Sequence, residues 1–175
     1  MNTTPNRSNI DTTHEDATAA IRAIPQRMIE AWNHGDAVRF AHACTGDTDF
    51  IAFEGTHLVG RDQIIAFHQP LFDTVLAGSR LQGGARFVRR LDVDWAIVHG
   101  YAEVVLPGQD HPSPGRTSMQ LFVLHRDPDD WMIEAVMNCR LVTLDRQLLL
   151  DDIDELPAPT QDALAQLVSA IPASV

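Results

Sequence analysis

The chain has 175 residues, short enough for one domain and long enough to bury a core of useful size. It is 45% hydrophobic and 21% charged with a formal net charge of -11, an acidic balance that disfavours phosphate backbones and hence nucleic acid. Two cysteines far apart, Cys44 and Cys139, make neither a disulfide framework nor a zinc pattern, and they fit a reducing cytoplasm. The first residues, "MNTTPNRSNIDTT", are polar and lack an apolar signal core. No apolar stretch is long enough to span a bilayer, so no membrane is expected as a partner.

Residues 1–12 read as a disordered tail. A helix follows, with Thr12 and Glu15, or Thr13 and Asp16, spaced as a capping box. Ala17, Ile21, Ile24, Met28 and Trp32 recur on one face of it. Pro25 should kink this helix and Gly35 should end it. Asp36 can then cap a short second helix carrying Val38, Phe40 and Ala41. Cys44 is expected on an apolar helix face, within the core.

"DFIAFEG" reads as a short strand and "THLVG" as its turn and return. "RDQIIAFHQPLFDTVLAG" returns to helical spacing, with Ile64, His68, Leu71, Phe72 and Val75 on one face, an irregularity at Pro70 and a stop at Gly78. "ARFVRRLDV" and "DWAIVHGYAEVVL" predict a hairpin turning near Asp92 and Asp94. "RTSMQLFVLHR" and "WMIEAVMNCRLV" predict two more strands, joined by "DPDD". Helices gathered ahead of a run of strands imply an α+β fold, with helices on one face of a curved, mainly antiparallel sheet. Beyond residue 143 come two short amphipathic helix candidates separated by "PAP".

Strand parity sorts candidates without settling which face is which. Trp95, Ile97, His99, Tyr101 and Glu103 share one face of their strand, a large mixed one suited to a pocket or a dimer interface. Ala96, Val98, Gly100, Ala102 and Val104 share the small apolar face. Asn138 and Arg140 stand opposite to Met137 and Cys139, so one pair faces a cavity and the other faces outward or into a partner. His68 interrupts an apolar stripe. It reads either as a core histidine held by a backbone carbonyl or as a polar group in a pocket. His57, in the turn before "LVGRD", reads either as an exposed turn histidine or as a residue at the pocket mouth. Asp36, Asp49, Glu54 and Glu103 are the candidate acids, and no two of them form an evident pair by spacing. Eight histidines form no H-x-H and no H-E-x-x-H, so no metal is expected. No Gly-rich dinucleotide fingerprint is present, and no cofactor is expected.

"AWNHGD" at 31–36, "FA" at 40–41, "DTDFIAFEG" leading to "LVGRDQIIAFH" at 58–68, "DWAIVHG" at 94–100, and "WMI" with "NCR" at 131–140 occur in a telling order. In that order and spacing they resemble the nuclear transport factor 2-like superfamily and, within it, the SgcJ/EcaC (SnoaL-like) group. The resemblance covers residues 17 to 143. It implies a cone-shaped domain over 13–143, with 144–175 as an amphipathic extension. The sheet would curl around a pocket closed by the first and third helices, and two copies would pair through the open sheet face. Relatives include cyclases and isomerases acting on hydrophobic rings, some from enediyne and polyketide gene clusters, and modules without catalysis. The resemblance thus implies a hydrophobic small molecule as partner, with any reaction being cofactor-independent acid/base chemistry. The other class it allows is an association module with an incidental pocket. Relatives often carry Gln or His at the position of Met137 and Thr at that of Cys139. These departures should make the deep end of the pocket less polar. The expected pocket is walled by Trp32, Phe72 and a sheet residue such as His99, with His68 and Asn138 as its polar contacts.

Overall fold

The computed structural model describes residues 7–141 apart from 114 and 129. Its elements are α1 (Arg7–Asn33), α2 (Ala37–Phe40), β1 (Cys44–Ile51), β2 (His57–Val59) and α3 (Gly60–Asp73), then β3 (Arg80–Arg90), β4 (Trp95–Val105), β5 (Thr117–Arg126) and β6 (Trp131–Arg140). The strands form one six-stranded sheet in the order β2-β1-β6-β5-β4-β3. Every pairing is antiparallel except that of β1 with β6. The helices pack on one face of this curved sheet, the α+β arrangement that the element order implies.

Four boundaries differ from the sequence reading, each for a local reason. Helix α1 starts at Arg7, so residues 7–12 are helical and Thr12 and Glu15 lie one turn apart inside the helix. Spacing that suits a capping box is also ordinary helix spacing. Helix α3 ends at Asp73, because Thr74 leaves helical geometry at φ -130 and ψ -98. Val75 is consequently exposed, and Leu76 packs on the core in its place. Strand β1 begins at Cys44, so Cys44 is a strand residue and not a helical one. It sits opposite Ile133 across an irregular stretch that Thr48 stitches with a 2.6 Å bond from Oγ1 to the Ile133 carbonyl. Strand β3 begins five residues earlier than "ARFVRRLDV", passing through Gly83 and Gly84 at φ 142 and 148. A side chain on Gly83 would overlap the Tyr101 carbonyl, so the pairing tolerates only glycine there. The expected tail before residue 7 and the extension at 144–175 lie outside the described residues.

Other signals act as read. Gly35 takes φ 66 after α1, and Asp36 caps α2 by accepting from the Arg39 N–H at 2.9 Å. Asp92 Oδ1 accepts from the N–H groups of Asp94 and Trp95, which closes the β3–β4 turn. The buried core joins Ile21, Ile24, Met28 and Phe40 of the helices to Val98, Phe122, Leu124, Ile133 and Val136 of the sheet. Cys44 is wholly buried, and burial pushes its thiol up to about 12, so it serves as an apolar core group and not as a nucleophile. No described helix is long and apolar enough to cross a membrane.

Candidate functional site

Strand register decides the parity that the sequence leaves open. Ala96, Val98, Gly100 and Ala102 of β4 face the helices, so Trp95, Ile97, His99 and Tyr101 face away from them. Across the ladder, Gly100 pairs with Gln120 and Gln120 with Asn138. Val98, Phe122 and Val136 form the next row toward the core. Rows on one face are about 7 Å apart. Gln120 and Asn138 of the first row and Phe122 and Val136 of the second floor a cavity of about 120 Å³. Helix α1 roofs it with Met28, Ile29 and Trp32, and α3 with Phe67, His68 and Leu71.

Helical spacing puts His68 one turn from both Ile64 and Phe72, on the buried face of α3. Its Nδ1 lies 2.8 Å from the Ile64 carbonyl, which can only accept, so Nδ1 carries the proton. Nε2 is then a bare acceptor with no hydrogen-bond partner among the described residues. The ring lies against Phe40 at 4.6 Å and Phe67 at 5.2 Å between centroids. The two readings of His68 from sequence are therefore compatible: it is core, held by a carbonyl, and it lines the cavity. Burial holds its pKa below the ordinary 6.5, against the opposing pulls of the Ile64 carbonyl and Glu54.

That depression has a consequence for stability. Unfolded His68 takes up a proton more readily than folded His68, so its contribution is complete above pH 6.5. The contribution is lost as pH falls through the lowered folded value. Unfolding free energies of the wild type and His68→Leu should therefore converge, or cross, between about pH 7 and about pH 5. A difference independent of pH across that range contradicts the assignment.

The sheet side of the cavity holds an amide pair. Gln120 Nε2 donates to Ser118 Oγ at 2.9 Å and reaches Asn138 Oδ1 at 3.5 Å. Gln120 Oε1 and Asn138 Nδ2 are left without protein partners among the described residues. Gly100 makes the room: a Cβ there would stand 2.7 Å from Gln120 Oε1 and 3.0 Å from the Phe122 ring. The site thus offers one acceptor on the helix side and an acceptor and a donor on the sheet side, within otherwise apolar walls.

Trp32, His68 and Asn138 are all on this lining. Phe72 is buried behind it, edge-on to Trp32 at 5.0 Å. His99 stands on the other face of the sheet, paired with Leu121, and reaches no part of the cavity. The cause is parity, and Gln120 takes the place expected of His99. Met137 and Cys139 also point away, so these departures from relatives do not alter the cavity floor. Sequence reasoning missed Gln120, although its position between Ser118 and Phe122 on one strand face carried the signal. Of the candidate acids, Asp36 is a cap, Asp49 pairs with His57 at 2.7 Å, and Glu103 is tied to Tyr101 and Gln82. Glu54 alone among them lines the cavity. No group of three His, Cys, Asp or Glu able to hold a metal occurs among the described residues.

A family model described as "SnoaL-like domain" matches residues 21–136. Among solved structures, the chain is similar to a domain of unknown function with a cystatin-like fold from Nostoc punctiforme. The two are 44% identical over 89% of this chain and 96% of that one, with a TM-score of 0.72. An NTF2-like protein from Novosphingobium aromaticivorans has the same fold at 18% identity and TM-score 0.68, over 79% of this chain and 92% of that one. So does an uncharacterised protein from Caulobacter vibrioides at 21% identity and TM-score 0.63, over 81% and 99%. No curated protein matches the chain.

Proposed function

The chain belongs to the SnoaL-like domain family, and from that premise we propose that its cavity binds an apolar small molecule, with Trp32 as a wall and His68 and Asn138 as polar contacts. The observation that carries this reading is the pairing of an apolar cavity with uncommitted polar atoms. His68 Nε2, Gln120 Oε1 and Asn138 Nδ2 line it without protein partners among the described residues. These atoms are open to the cavity and not sealed in the core, so a ligand that enters it can complete them. Phe72 contributes indirectly, by fixing the Trp32 ring. A proton transfer at this site runs through neutral His68 Nε2 as acceptor and needs no cofactor.

The finer placement is with the SgcJ/EcaC group, on the motifs from "AWNHGD" to "NCR", and with secondary metabolism on aromatic or polyketide-like molecules. Two free cysteines suit work in the cytoplasm. The outer sheet face supports a homodimer: Phe87, Trp95 and Met137 are 67%, 37% and 48% exposed, beside half-buried Ile97, Leu121 and Val123. Sedimentation of the wild type should show a dimer at micromolar concentration and Met137→Glu should show a monomer; a wild-type monomer contradicts the pairing. The ligand reading is tested by native mass spectrometry of freshly purified protein. A retained adduct lost on denaturation supports it. Protein of bare mass that also takes up no apolar ring compound added to it contradicts it.

A further inference from the structure

The ligand's class can be narrowed, on the strength of the reading above, from the charges at the cavity mouth. The chain has 13 basic side chains against 24 acidic ones, and every basic one is arginine. Two arginines stand at one end of the cavity, one on its lining and one stacked on the lining residue Phe53. Arg116 directly precedes β5 and lines the cavity, half-buried. Arg140 ends β6 opposite Ser118 and lays its guanidinium over the Phe53 ring, 4.7 Å from the centroid. A Cβ on Gly115 would meet Arg140 Nη1 at 3.8 Å, so Arg140 reaches the residue next to Arg116. Neither guanidinium has an ion pair or hydrogen bond among the described residues, where the ion pairs use Arg27, His57 and His125. In a chain of net charge -11, two unpaired guanidiniums at an apolar opening are a place for an anion.

Deeper in, the lining holds no cation. His68 is neutral, and the remaining polar groups there are amides and the Ser118 hydroxyl. Glu54 puts one negative charge on the lining, exposed and in the field of His68. A charged head is therefore favoured at the arginines and disfavoured inside. We propose that the cavity takes a small carboxylic acid, its apolar body inside and its carboxylate at the mouth on Arg116 and Arg140. The size fits a single ring with a short arm, since about 120 Å³ admits on the order of ten non-hydrogen atoms. A planar carboxylate also matches the guanidinium fork, which a hydroxyl or an amide does not.

Calorimetric titration of the full chain with 3-phenylpropionate and with its neutral isostere 3-phenylpropanamide tests this. The acid should bind about ten- to hundred-fold more tightly than the amide. Arg116→Gln should remove most of that preference, and Arg116→Lys should keep part of it. An amide that binds as tightly as the acid, or a preference that survives in Arg116→Gln, overturns the proposal while leaving an apolar ligand in the cavity. If neither compound binds and neutral p-cresol does not bind, the ligand reading falls with it. Should Arg116→Gln fail to fold, the acid-to-amide ratio in the wild type decides alone.

Discussion

Gly60→Ala should lower the unfolding free energy by about 2–4 kcal/mol, a large effect for one methyl group. Two costs coincide there. Gly60 adopts φ 77, where an L side chain is strained, and a Cβ would overlap the Gly46 carbonyl oxygen. That oxygen belongs to β1, whose backbone is also tied to α3 by Arg61. Nε and Nη2 of Arg61 donate to the Cys44 carbonyl at 3.0 and 2.6 Å. Relief of the overlap must pull α3 away from β1 and His68 away from the floor. Gly55 is the internal control: it has φ 98 and nothing within 4 Å of a Cβ. Gly55→Ala should cost only about 1 kcal/mol, the strain alone. Urea denaturation of both variants separates the two costs. Equal losses would show that the close approach of Gly60 to Gly46 carries no energy.

Trp32→Ala should cost about 3 kcal/mol of stability and abolish ligand binding. The indole packs edge-on against Phe40 and Phe72, at 6.1 and 5.0 Å, while it walls the cavity. Its Nε1–H donates to Ser79 Oγ at 3.1 Å, and Ser79 is itself buried. Truncation opens the cavity roof and strands that hydroxyl. Trp32→Phe keeps a ring between the two phenylalanines and loses the hydrogen bond, so it should cost about 1 kcal/mol and retain most affinity. If the alanine variant is as stable as the phenylalanine variant, Trp32 is not part of the packed roof. If it binds ligand as well as the wild type, the wall lies elsewhere.

The long strands and the helical stripes were legible because burial on one face leaves a strict period. Ile21, Ile24 and Met28 recur at helical spacing, and all three are buried. Strand β4 alternates small and large residues, and its small face lies under the helices. The choice of face was not legible, since Met119, Leu121 and Val123 make the outer face of β5 as apolar as the inner one. That ambiguity misplaced His99 and hid Gln120. β1 was only half legible for another reason. Its first half, "CTGD", has loop composition, and it enters the sheet through an irregular parallel pairing with β6 that no local pattern announces. Likewise, the strand read as "ARFVRRLDV" starts only after Gly83 and Gly84, although β3 needs Gly83 where it passes the Tyr101 carbonyl. His68 was visible as an interruption of an apolar stripe. That its Nδ1 is committed to Ile64, leaving Nε2 to the cavity, required coordinates.

The central claim is that a ligand occupies the space between α1, α3 and the inner sheet face. The most direct measurement is a methyl-resolved NMR titration of the full chain with p-cresol, a neutral single ring bearing one hydroxyl. Ile29, Leu71, Leu81, Val104 and Val136 line the cavity, whereas Ile97, Leu121 and Val123 belong to the opposite sheet face. Saturable shifts confined to the first group are the predicted result. Shifts in the second group alone, or none in either, would contradict it.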